Sequence, residues 1–568
     1  MKELILCAAA GIALLAPTHL MAEAGAASRA DTGYVTATKT PARQEKIGIS
    51  GNALLILGKT IEAPAKVRLV DDKAIPAVAK LYAYLDAVGR SDAVLYGHQN
   101  DIHHKAGPKG EGFTNSDTKD VTGSIAAVMG IDTLSLTGNE LGTWNETAER
   151  RIAQAAAVTK EASAQGAIIT LSCHMPNFRM IADRLKTGKK NGKDADSTAT
   201  LADGSTNFSG YTPNVTSGNV MDEILPAGSF NAIYTQYLDL VAAYAKELEK
   251  DGIPVLFRPF HENTGSWFWW GSSFCDREGF RSVWMYTVEY LRDTKGVHNM
   301  LYVYGPSGNA SDTEEYGRRY PGDDWVDMVG FDMYHQNPAE GDSFIDELKT
   351  ELAIVSEFAD AHGKLFALTE TGVANTGAPV LKAKGNARLD WYNEILNAVA
   401  PTRASYFLLW ANFGTTSGYY SPFVVSRDEG KLTGHETLDG FIGFYNNEKS
   451  VFADGMGPWS VLAVSVERNE RWTAYMTAPV SGSQLTGACA ISARTNRLPS
   501  GASVAATLKS KSGAYEKTIA LSPDAEGVYS GTITADMLKA FGEKRGTIIL
   551  TVDGKAVSES AIKVNVAK

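Results

Sequence analysis

The sequence predicts an α/β chain: a (β/α)8 TIM barrel followed by a small C-terminal all-β sandwich. Between residues 92 and 412 one unit recurs: a short β-branched or aromatic run, a loop bearing Gly, Pro or His, and a segment of helical periodicity. The runs fall at 93–97, 133–137, 167–173, 254–258, 300–304, 328–333, 365–369 and 406–410. Strands joined by helix-length connections pair in parallel, and eight of them suggest closure into a barrel. After about Pro458 the texture changes to short alternating runs broken by Gly, Ser and Asn, which reads as a sandwich. A doubly wound open sheet would normally carry a Gly-rich phosphate loop after its first strand, and Tyr96-Gly97-His98-Gln99-Asn100 is not one.

The chain opens with Lys2, a mostly apolar run from Leu4 to Pro17 and small residues ending in Ala22-Glu23-Ala24. That order reads as a secretory signal over residues 1–24, too short for a comfortable membrane span, so the protein is expected to be secreted or periplasmic. Residues 25–70 have a weak pattern and are expected to be an N-terminal extension or linker, or strands that join the sandwich. The barrel is assigned to residues 71–458 and the sandwich to 459–568. Within the barrel, Phe230, Ile233, Tyr234, Tyr237, Leu238, Val241 and Tyr244 have the spacing of an amphipathic helix that stops at Gly252 and leads into the fourth strand. Residues 186–218, rich in Gly, Ser, Thr, Asn and Asp, are too long for a simple loop and are expected to be an insertion or lid at the barrel mouth. Once Cys7 leaves with the signal, Cys173, Cys275 and Cys489 remain, so no disulfide-stapled scaffold is possible.

A net charge of −11 argues against a nucleic-acid or anionic-membrane partner and in favour of a neutral ligand. The flat faces of ten Trp suit sugar rings, although core packing explains most of any such set. In a (β/α)8 barrel the active site lies at the C-terminal ends of the strands. Here the first ends at His98, the third at Cys173-His174, the fourth at Arg258-Pro259-Phe260-His261-Glu262, the sixth at Asp332-Met333-Tyr334, the seventh at Thr369-Glu370-Thr371-Gly372 and the eighth at Trp410-Ala411-Asn412. One Glu at a strand end is equally well explained by a salt bridge. Two, on strands four and seven with His, Tyr and Trp around them, point to glycoside hydrolysis, which needs one protonated and one ionised carboxyl. Across the mouth these strands suit a separation of about 5–5.5 Å, the retaining geometry. Phe260, Trp267, Phe268, Trp269 and Trp270 are candidates to keep Glu262 neutral, and Tyr334 to hold Glu370 ionised.

Metal catalysis competes for His98, His103, His104, His174 and His261, but there is no His-Glu-x-x-His helix and no paired-Cys spacing. No G-x-S-x-G marks a catalytic Ser. No cofactor or metal is expected, and the chain is expected to act as a monomer on a polysaccharide. A non-catalytic carbohydrate-binding barrel would be expected to lose one carboxylate, and both are present.

The segment from Arg258 to Gly271, with Glu262-Asn263-Thr264-Gly265-Ser266-Trp267-Phe268-Trp269-Trp270 at its centre, resembles the acid/base segment of glycoside hydrolase family 26. Val329-Gly330-Phe331-Asp332-Met333-Tyr334 and Leu368-Thr369-Glu370-Thr371-Gly372 resemble that family's sixth and seventh strands. The resemblance, to a family whose best-known members are endo-β-1,4-mannanases, implies a retaining hydrolase with Glu262 as acid/base and Glu370 as nucleophile, cleaving β-1,4-mannosidic linkages. It also implies that His174, His261, Trp267, Asp332, Tyr334 and Trp410 surround the sugar at the cleavage point, with Trp410 as the stacking platform. The chain departs from the family pattern at Cys173, at Ala411 and at Thr137-Gly138-Asn139-Glu140. These departures keep a β-1,3-xylanase or a mixed-linkage β-glucanase open as alternatives.

Overall fold

In the computed structural model, which describes residues 33–43, 45–143, 146–188, 198–209, 213–557 and 560–567, eight parallel strands close on themselves. They are β1 (Val94–Gln99), β2 (Val128–Asp132), β3 (Ile168–Ser172), β4 (Val255–Arg258), β5 (Met300–Tyr304), β6 (Met328–Gln336), β7 (Leu365–Ala374) and β8 (Ala404–Leu409). Each pairs with the next, and Tyr406 to Leu409 of β8 pair with Leu95 to His98 of β1, so the expected barrel is formed. Side chains on both faces of these strands are buried, which is why they read as continuous apolar runs instead of alternating ones. The signal expected over residues 1–24 lies outside the described residues, among which no helix is long and apolar enough to cross a membrane.

The second strand lies earlier than the sequence suggests. Residues 133–137 were expected to form it, but Thr133–Leu136 is a helical turn and the strand is Val128–Asp132. Asp132 decides the boundary: its carboxylate accepts the Leu134 N–H at 2.9 Å, capping the turn and outweighing the β preference of Thr133. Between β6 and β7 the register slips at Phe331/Asp332, so that Leu368 faces Phe331 but Glu370 faces Asp332. Thr369 is the extra residue of this bulge, and its hydroxyl donates to the Phe331 carbonyl at 3.0 Å.

Residues 47–62 form a three-stranded antiparallel sheet of their own (Ile47–Ser50, Ala53–Ile56 and Lys59–Glu62), separate from the C-terminal sheets. Leu54 and Ile56 join Leu81 and Leu85 of the helix Pro76–Gly89 and the lower barrel residues Leu256, Leu301 and Leu408 in one core, plugging the end opposite the mouth. Within the insertion, Arg184 donates to the Ser209 carbonyl at 3.1 Å and Asn177 to those of Val215 and Ser217 at 2.7 and 3.1 Å, which ties its described parts to the helix Phe178–Thr187.

The C-terminal region is a set of mostly antiparallel strands from Thr473–Ala478 to Ile562–Val566 around its own core of Ile491, Leu508, Ile548 and Leu550, with one helix, Ala535–Phe541, that its alternating pattern did not foretell. It is fastened to the barrel helix Arg277–Glu289. Tyr475 donates to Glu289 at 2.8 Å beside the Arg494 ion pair, and Ser481 donates to Asp276, the residue capping that helix, at 2.6 Å. Cys173, Cys275 and Cys489 are all unpaired.

Candidate active site

Glu262 sits in a turn that only a tightly held loop can keep. Phe260 and Glu262 both have left-handed backbones, with φ of 51° and 53°, a conformation that strains non-glycine residues by about 1–3 kcal/mol. The loop is pinned by Glu262 N–H to the Gly305 carbonyl at 2.8 Å, Trp270 Nε1 to the His261 carbonyl at 2.7 Å, and Trp269 Nε1 to the Met175 carbonyl at 3.1 Å. Phe260, Phe268, Trp269 and Trp270 are buried together and form the apolar wall expected from the aromatic string, while Trp267 gives its indole N–H to the Glu262 carboxylate. Burial and the charge of Glu370 push the Glu262 carboxyl up to about 7, against the opposing Trp267 hydrogen bond and the Arg258 charge.

Glu370 has the opposite surroundings. The bulge turns it to the side of Asp332, and Arg258 spans the two carboxylates, donating to Glu370 Oε2 at 2.6 Å and to Asp332 Oδ2 at 2.5 Å. Tyr334 donates to Glu370 Oε1, and Thr369 to Asp332 Oδ1 at 2.7 Å. Both Glu370 carboxylate oxygens thus accept a strong hydrogen bond. Burial pushes Asp332 upward, opposed by Arg258. One carboxylate oxygen from each of Glu262, Asp332 and Glu370 lies within 4.8 Å of the others. Arg258 supplies the compensating positive charge for this acidic group.

The remaining residues singled out in the sequence gather around His174. His174 Nδ1 contacts Asp132 Oδ2 at 2.8 Å, and its Nε2 faces His261 Nε2 at 3.2 Å, a gap that holds one shared proton. For His174 burial disfavours the charged ring, but Asp132 more than offsets it and the pKa is raised. For His261 burial and the charges of His174 and Arg258 act together and hold it well below its ordinary value. Trp410 packs 5.3 Å from the His174 ring. His261 and Asp332 are buried, against His174 and Arg258 respectively. Cys173 and Ala411, where the chain departs from the family pattern, are buried as well.

Sequence reasoning passed over two members of this site. Arg258 was visible at the end of β4 but unassigned, because nothing in the chain order says it reaches both Asp332 and Glu370. Asp132 was hidden by the misplaced second strand; a carboxylate ending that strand would have been the signal.

The family model for glycosyl hydrolase family 26 matches residues 70–414. A mannan endo-1,4-beta-mannosidase of Bifidobacterium adolescentis is 30% identical over 443 residues, 76% of this chain and 40% of the relative. One from Bacillus subtilis is 30% identical over 207 residues, 34% of this chain and 50% of the relative. The chain thus spans about half the length of the curated relatives it matches. Among solved structures, a modular endo-beta-1,4-mannanase from Cellulomonas fimi has 28% identity and a TM-score of 0.69, covering 88% of this chain and 100% of that one. The catalytic domain of an endo-beta-1,4-mannanase from Bacillus sp. JAMB-750 has 32% identity and a TM-score of 0.60, covering 71% of this chain and 98% of its own. With its barrel and the matched segment containing both glutamates, this chain belongs to glycosyl hydrolase family 26.

Proposed function

We propose that the chain is an endo-acting, retaining β-1,4-mannanase, with Glu262 as acid/base and Glu370 as nucleophile. The observation that carries this reading is the asymmetry of two neighbouring carboxyls: Glu370 is held by Arg258 and Tyr334, while Glu262 lies against an aromatic wall with its pKa raised to about 7. Their closeness, within 4.8 Å, suits direct attack, since an intervening first-attack water calls for carboxyls about 6.5–9.5 Å apart.

In the first step Glu370 bonds to the anomeric carbon, the glycosidic C–O bond breaks, and Glu262 protonates the departing oxygen. In the second, Glu262 takes a proton from water as its oxygen displaces Glu370. Trp410 offers a stacking face. His174, set by Asp132, and Trp267 lie where sugar hydroxyls would pass, while His261 and Asp332 orient the groups in front of them. Mannan as substrate is supported by the names of the relatives, and export by the leader-like pattern of residues 1–24.

A product profile on linear mannan, glucomannan, β-1,3-xylan and barley glucan tests the substrate. Manno-oligosaccharides are expected as the fastest-formed products. Faster release from xylan or glucan than from any mannan overturns the assignment.

A further inference from the structure

Tyr420 lies on the loop after β8, and that loop is fixed from beneath. The buried Asn412 side chain accepts from the N–H groups of Tyr420 and Ser421 at 2.8 and 3.1 Å and donates to Asp117 Oδ2 at 2.8 Å. Tyr392 donates to the Tyr420 carbonyl at 3.2 Å. The ring rests against Gly372, two residues past Glu370, where a Cβ would come within 2.3 Å of its Cδ1, and packs edge-on to Tyr334 at 5.9 Å. The residue at 372 must therefore be this small for the ring to lie there.

Burial raises the Tyr420 pKa, and the charges of Glu370 and Glu262 raise it further, so the hydroxyl stays protonated. Tyr334 commits its hydroxyl to Glu370, whereas Tyr420 Oη has no hydrogen-bond partner among the described residues. Nor is it among the fully enclosed unpartnered hydroxyls such as those of Tyr96 and Tyr237, so it keeps a small exposure beside Tyr334. A rigidly held, nearly enclosed hydroxyl without a partner is costly to the free protein and favourable once a ligand supplies one.

We propose that Tyr420 is a further substrate-binding residue, whose hydroxyl hydrogen-bonds a hydroxyl of the sugar held between Glu262 and Glu370 and orients that ring for attack. The proposal rests on reading the cleft as a glycoside-cleaving site. Full-length Tyr420→Phe, which keeps the ring packing on Gly372, is compared with wild type on an aryl β-mannoside and on its 2-, 3- and 6-deoxy analogues. The expected result is a loss in kcat/KM of about 10- to 100-fold on the parent glycoside, an unchanged thermal midpoint, and a loss that vanishes on the one analogue lacking the partner hydroxyl. Activity within about twofold of wild type on the parent, or an equal loss on every analogue, overturns it. If wild type releases no manno-oligosaccharide from mannan, the mannan assignment fails by itself, and the same pair of proteins is compared on the aryl β-glycoside that wild type does cleave.

Discussion

At the scale of single residues, the two glutamates differ because their donors differ. Glu370 accepts hydrogen bonds from Arg258 and Tyr334, while at Glu262 the bond from Trp267 is outweighed by burial and by the charge of Glu370. As general acid, Glu262 must be protonated, so kcat/KM is expected to fall as pH rises through about 7. The Trp267 hydrogen bond lowers that pKa, and its removal in Trp267→Phe raises it. The alkaline limb of the pH profile should then move upward by about one pH unit, the equivalent of about 1.4 kcal/mol from one hydrogen bond to a charged group. A limb that stays in place or moves to lower pH contradicts this account of Glu262.

At the scale of elements, the β6–β7 bulge brings Glu370 and Asp332 to one arginine, and it depends on Gly330. A Cβ there would lie 2.5 Å from Thr369 Cγ2 and 2.7 Å from the Ala367 carbonyl oxygen, a backbone atom that cannot swing aside. Gly330→Ala is expected to destabilise the protein by about 1–3 kcal/mol and to lower turnover with it, measured by denaturant unfolding beside kcat. Unaltered stability would show that the bulge tolerates displacement. This element marks the limit of what the sequence discloses. Seven of the eight strands and the closure were legible because buried parallel strands are continuous apolar runs, and Glu262 and Glu370 because both stand at strand ends within distinctive motifs. The slip at Thr369 was not legible, since a bulge leaves no mark in apolar periodicity. Nor was the start of the Asp132-capped turn, where Thr133 and Leu134 have strand character and only the carboxylate's hydrogen bond selects the helix. Tyr420 escaped notice for a related reason: it reaches the mouth through Asn412, a contact of the return loop and not of a strand end.

At the scale of the whole molecule, the C-terminal region is fastened to the helix that follows the Glu262 loop. Glu289, at the end of that helix, is buried and takes its partners Tyr475 and Arg494 from the C-terminal strands, while Trp325 packs 5.7 Å from Tyr475. Removing residues 473–568 would leave a buried carboxylate and a large aromatic surface uncovered. The truncated protein is expected to lose about 5 °C or more in thermal midpoint while retaining turnover of short oligosaccharides, because the assembled site ends near Tyr420. A truncated protein that is folded yet inactive would show that the C-terminal strands contribute to the site itself. The division of labour between the two glutamates is tested most directly by the product that Glu262→Ala forms from an activated aryl β-mannoside in azide. Without its acid/base the enzyme is still expected to form the glycosyl-enzyme on Glu370 and then stall, and azide, which needs no general base, should restore turnover and yield the β-mannosyl azide with retained configuration. An α-mannosyl azide would contradict the assignment, because it would mean that azide attacked the substrate directly and that Glu370 never formed the bond.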